Sequence, residues 1–190
     1  IQNKAGLTHL DYAIGTHPHE DHIGSLDSVL ETVSVDTVML PNVTANTQTF
    51  RDVLNVIDEK GLSITIPEVG DTYTLGDASF TILGPVSDYG DDLNNWSIAL
   101  KLTYGNVSFL FTGDAESTAE SDMLNTGLDL GADVYQVGHH GSRTSSSSAF
   151  LDAVAPKYAV ISCGVGNDYG HPHQETLDAL SSRGIEIYRR

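Results

Sequence analysis

Thr16-His17-Pro18-His19-Glu20-Asp21-His22-Ile23-Gly24 places three imidazoles and two carboxylates within six successive positions. Imidazole nitrogen and carboxylate oxygen are donors that zinc, manganese and iron accept. A merely solvated loop has no reason to concentrate them. If the loop is extended, His17 and His19 point the same way and one ion can take both. Asp21 and His22, beyond a bend, can then reach a second ion. Residues 10–14, Leu-Asp-Tyr-Ala-Ile, read as a short strand before this stretch, and Ile23, Leu26 and Leu30 recur at helical spacing after it. The cluster is therefore expected in a loop between a strand and a helix.

Outward from it, two further stretches carry the same chemistry. Phe109-Leu-Phe-Thr-Gly-Asp114-Ala-Glu116 is an apolar run that ends in a glycine turn and delivers a carboxylate. Alone it would be an ordinary Gly-Asp turn. Val137-Gly-His139-His140-Gly-Ser142 repeats the arrangement with two histidines and a hydroxyl. A fourth stretch, Asn167-Asp-Tyr-Gly-His171-Pro-His173, holds the remaining pair, although Gly-His-Pro can also simply turn the chain into the helix expected from Gln174. Seven of the eight histidines thus fall in three groups, and His9 alone is read as structural. Asp114 can bridge two ions or help to hold one. The serine run at residues 144–148 is read either as phosphate contact or as loop solvation.

Between these stretches the pattern alternates. Strands are expected at residues 35–40, 63–66, 71–75, 79–83, 97–103, 107–112, 134–137, 158–162 and 185–188, and helices at 50–57, 115–125, 147–154 and 174–182. Tyr104-Gly-Asn106 is a plausible hairpin turn. Each chemically suggestive group then follows a strand, where layered α/β folds display ligands and catalytic groups. A chain of 190 residues, 39% of them hydrophobic, is expected to form one domain around one sizeable core. It contains no membrane-length apolar run, no leader is expected, and Ile1 reads as a cut within a larger fold. The single cysteine, Cys163, excludes an intrachain disulfide and a cysteine zinc cage, and is expected as a buried strand thiol. A net charge of -17 argues against a broad basic surface for gripping a nucleic-acid backbone. Phosphate chemistry must then draw its positive charge from metal.

The residues resemble a known family. His17-Pro-His19-Glu-Asp21-His22 fits the HxHxDH signature of the metallo-β-lactamase superfamily. The set THPHEDHIG, FLFTGDAE, VGHHGS and NDYGHPH is similar to the metallo-hydrolase domain of ComEC-type competence proteins and their stand-alone relatives, from about Leu10 to Tyr188. The resemblance implies an α/β (α+β) fold, a four-layer αββα sandwich that here lacks its first and last strands. It implies one or two divalent ions, zinc or manganese. His17 and His19 would serve one metal and Asp21 and His22 the other; Asp114 would bridge, and one of His139 and His140, preferably His140, would complete the second set. The superfamily usually offers another histidine between the HxHxDH loop and the bridging Asp, and none occurs from Ile23 to Gly138. Asn94-Asn95-Trp96-Ser97 occupies the corresponding place, which suggests Asn95 or Ser97 near a weaker first site.

The implied function is metal-dependent hydrolysis of an ester, with a phosphodiesterase or DNA nuclease preferred. Asp21, His171, His173 and Ser142 are the candidate catalytic groups, His171 as proton donor to the leaving oxygen, with Arg143 on the substrate side. The implied substrate is a phosphodiester, DNA among the candidates, met at the cell surface by a parent protein attached to a membrane. A phosphorylcholine esterase-like or other small-ester hydrolase is the alternative enzyme, favoured by the acidic composition. A metal-binding domain without turnover is the alternative from a different class.

Overall fold

Side chains that alternate between solvent and interior make His9–Ile14 a strand, β1, and apolar positions at the same spacing make Ser34–Met39 its parallel neighbour β2. The computed structural model describes residues 6–189, so Ile1 and Arg190, at the ends of the chain, lie outside the described residues. Two compact units make up the chain, residues 1–67 and 68–190.

In the first unit the parallel order β1-β2-β3, with β3 at Ile64–Thr65, requires helical crossovers. The first crossover holds two short helices, α1 (Glu20–Ile23) and α2 (Leu26–Thr32). The second holds α3 (Gln48–Glu59), where Thr47 caps the start by accepting the Phe50 N–H at 3.2 Å. Phe50, Val53, Val56 and Ile57 form its buried stripe, and they pack with Ala13, Ile23, Leu30, Val35, Val38 and Leu40 into one apolar cluster. Fully burying each large side chain contributes about 1.5–3 kcal/mol. The expected loop through His22 is shorter than the sequence suggests, because α1 begins at Glu20, inside the histidine motif.

The second unit is a seven-stranded mixed sheet in the order β10-β9-β8-β7-β6-β5-β4. Its antiparallel half runs through β4 (Thr72–Leu75), β5 (Ala78–Gly84), β6 (Ala99–Tyr104) and β7 (Val107–Phe111). Tyr104 pairs with Val107 across Gly105, whose φ of 58° suits the two-residue hairpin expected there. After α4 (Ser117–Asn125), the parallel half follows as β8 (Val134–Gln136), α5 (Ser148–Val154), β9 (Tyr158–Ile161), α6 (Gln174–Ser181) and β10 (Glu186–Arg189). Leu110, Tyr135, Phe150, Leu151, Ala159, Ile161 and Leu180 are fully buried in its core. Cys163 lies just beyond β9, half-buried against this core rather than inside the strand.

Because β7, β8 and β9 are parallel neighbours, the segments leaving their C-terminal ends emerge along one edge of the sheet. Those segments carry Asp114, the His139–His140 pair and the His171 loop.

Candidate metal centre

In the first unit, the donors follow β1. His17 is fully buried, and its Nε2 lies 3.0 Å from Nδ1 of His19. His19 caps α1, so Asp21 and His22 stand in the first helical turn. His22 Nε2 is 3.8 Å from Asp21 Oδ2, and the rings of His17 and His22 are 4.0 Å apart. The hydroxyl of Thr16 lies 3.3 Å from His17 Nδ1 and 3.1 Å from His22 Nδ1, a contact that fixes both rings from behind.

In the second unit, Asp114 is buried, and Nε2 of His139 and Nε2 of His140 each lie 3.6 Å from its Oδ2. The opposite nitrogens are held. His139 Nδ1 is 3.1 Å from Glu116 Oε1, which also accepts the Thr144 hydroxyl at 2.9 Å. His140 Nδ1 is 2.8 Å from the Ser162 carbonyl. A carboxylate and a carbonyl as acceptors for the far ring nitrogen leave Nε2 as the donor toward a cation, the usual outer-sphere arrangement of ligating histidines.

The Asn94-Asn95-Trp96-Ser97 segment supports the Asp114 turn through backbone groups. Ser97 Oγ accepts the Asp114 N–H at 2.9 Å, and Asn95 Oδ1 accepts the N–H of Glu116 at 2.9 Å and that of Ala119 at 3.4 Å. Asn95 therefore caps α4 from a distant part of the chain, and the helix begins at Ser117 rather than at Ala115.

His171 faces the pair, its ring 5.6 Å from that of His139 and 6.3 Å from that of His140. Burial, then the neighbouring rings of His173, His139 and His140, lower its pKa, while Asp114 opposes them. The neutral ring is favoured. His173 Nδ1 accepts the Arg143 N–H at 3.1 Å and thereby ties two loops together. Ser142 is buried, its hydroxyl 3.0 Å from that of Thr144.

Two ligands of a tetrahedral ion about 2.0–2.1 Å away stand about 3.3 Å from each other. The separations of 3.0, 3.6 and 3.8 Å within the two units bracket that value. With their imidazole and carboxylate chemistry, these His/Asp donors fit a divalent metal site. Reading the sequence missed the partners that aim them: Thr16, Glu116 in its contact with His139, and the Ser162 carbonyl. Glu116 alone left a signal, as a second acid two residues beyond Asp114.

Residues 2–165 match the family model described as "Metallo-beta-lactamase superfamily". Over 184 residues the chain is 34% identical to ComE operon protein 3 of Bacillus subtilis (strain 168), a match covering 97% of this chain and 24% of that protein. Over 190 residues it is 30% identical to competence protein ComA of Neisseria gonorrhoeae, covering 98% of this chain and 25% of that protein. The chain thus spans about a quarter of the length of these curated relatives. Among solved structures, CmlA, a diiron β-hydroxylase from Streptomyces venezuelae, aligns with a TM-score of 0.64 at 16% identity, over 96% of this chain and 44% of that one. The metallo-β-lactamase fold protein YhfI of Bacillus subtilis aligns with a TM-score of 0.56 at 14% identity, over 95% of this chain and 75% of that one. At such identities these structures speak for the fold alone.

Proposed function

The chain belongs to the metallo-β-lactamase superfamily of metal-dependent hydrolases, and from that premise we propose that it is a phosphodiesterase, with DNA the leading substrate. His17, His19, Asp21 and His22 of the first unit are assigned as metal donors, and so are Asp114 and His140 of the second. His139 is assigned with His140 as a donor beside Asp114. The observation that carries the reading is Asp114 Oδ2, 3.6 Å from both Nε2 atoms. Manganese or zinc suits this donor set.

A bound divalent cation would supply the positive charge that a phosphoryl group needs as it is attacked. The protein's own part is to aim the imidazole donors, which Glu116, Thr16 and the Ser162 carbonyl do. His171 and His173 are assigned to the substrate side, with Arg143 offering a guanidinium from the same loops. The similarity to competence proteins supports nucleic acid as substrate. The charge of -17 supports a small ester instead, and that is the second reading.

Elemental analysis of purified protein, combined with hydrolysis of bis-p-nitrophenyl phosphate, tests both. We expect bound metal and turnover in the wild-type chain, and loss of turnover by at least about 100-fold in Asp114→Ala and in His140→Ala. Metal without turnover on this diester or on DNA would sink the phosphodiesterase reading.

A further inference from the structure

The two histidines after β8 adopt a backbone conformation that side chains seldom take. His139 (φ 47°, ψ 47°) and His140 (φ 54°, ψ 21°) are both left-handed, and Ser146 (φ 59°) is a third such residue in the same loop. Contact between Cβ and the backbone disfavours this region for any residue but glycine. Two such residues in succession persist only where the surroundings impose them.

A buried polar network does the imposing. Tyr135 is fully buried on β8, and its hydroxyl accepts the Gly138 N–H at 3.0 Å and lies 3.1 Å from Ser146 Oγ. The hydroxyl of Ser145 donates to the Gly138 carbonyl at 2.8 Å. Glu120, fully buried on α4, accepts the N–H of Ser146 at 2.5 Å through one carboxylate oxygen and that of Ser147 at 2.9 Å through the other. Burying a phenol and a carboxyl is costly unless their polar atoms are filled. Here both are filled from one stretch, residues 138–147, which carries the histidine pair. Burial raises the pKa of Glu120 in spite of these donors, a sign of how dry the position is.

We propose that Glu120 and Tyr135 are positioning residues that lock residues 138–147 in the strained course that directs His139 and His140 at Asp114. The functional consequence rests on reading those three residues as metal donors; the conformational statement stands without it. Neither Glu120 nor Tyr135 is required to touch metal or substrate.

The test uses the whole chain and the variants Tyr135→Phe and Glu120→Gln. In metal-free protein, amide–Hα couplings and carbon shifts report the left-handed φ of His139 and His140; in parallel, Co2+ is titrated and its visible spectrum recorded. We expect both variants to unfold cooperatively, while the left-handed signature is averaged and Co2+ affinity falls about 10- to 100-fold with a changed spectrum. Folded variants with wild-type couplings, or with wild-type Co2+ affinity and spectrum, overturn the proposal. If the wild-type chain binds no Co2+ yet the variants lose the signature, the positioning role stands and the metal reading fails. Should both variants fail to fold, Ser146→Gly relieves the strain at that residue while removing the hydroxyl beside Tyr135, and the same two outcomes decide.

Discussion

Glu120 shows how one residue couples the interior to pH. Its carboxyl is pushed above the ordinary range chiefly by burial, against hydrogen bonds from Ser146 and Ser147. An acid whose folded pKa exceeds its unfolded value, about 4.3 for glutamate, binds its proton more tightly in the folded protein. Its contribution is therefore most favourable at low pH and is lost as pH rises from the unfolded value through the raised one. The difference in unfolding free energy between wild type and Glu120→Gln isolates this contribution, and wild type is expected to lose ground over that window. Urea titrations at several pH values measure it. If wild type gained on the variant with rising pH, the two N–H donors would outweigh burial. At the donors themselves, the sequence showed which side chains could ligate but not what orients them. Thr16 reaches His22 across six positions, Glu116 reaches His139 across 23, and no local pattern encodes either contact.

Most elements were legible because their periods are long enough to count. The stripe of α3 and the alternation of β1 and β2 fall within two residues of expectation. The four residues of α1 are too few to show a period, and the start of α4 is set by the distant Asn95. The left-handed course of His139–His140 was illegible too, since that conformation is expected of glycine, and glycines flank the pair. One flanking position yields a prediction about how two elements meet. Gly141 has φ of 82°, and a Cβ there would stand 2.6 Å from Cβ of Pro172 and 3.4 Å from Cγ2 of Ile161. Its carbonyl also accepts the His173 N–H at 3.0 Å. Gly141→Ala is expected to force the histidine loops after β8 and β9 apart, at a cost of about 1–3 kcal/mol. Calorimetry should record a melting point lowered by about 2–4 °C per kcal/mol. An unchanged melting point would mean that the loop after β9 yields freely.

At the scale of the molecule, charge decides what kind of substrate approaches easily. The chain carries 26 acids and nine Lys and Arg, and Lys101, Lys157 and Arg183 are tied to Asp129, Asp133 and Asp152 at 2.6, 3.0 and 2.9 Å. Proteins that grip DNA through basic surfaces bind less tightly as salt rises, by a slope that counts the phosphates they neutralise. A chain of net charge -17 faces the opposite problem, because its field repels a polyanion until counterions screen it, within about 10 Å at ~0.1 M salt. If DNA is the substrate of this chain, its KM for a single-stranded oligonucleotide should fall as monovalent salt rises from about 20 to about 200 mM, whereas KM for bis-p-nitrophenyl phosphate, a monoanion, should change far less. Steady-state kinetics across that series, at fixed divalent ion, separates the cases. A KM for DNA that rises with salt would mean that a local positive field around the donors, from bound cation and Arg143, outweighs the acidic surface. Equal salt responses for the two substrates would place recognition within one phosphodiester and favour the small-ester reading over the nuclease.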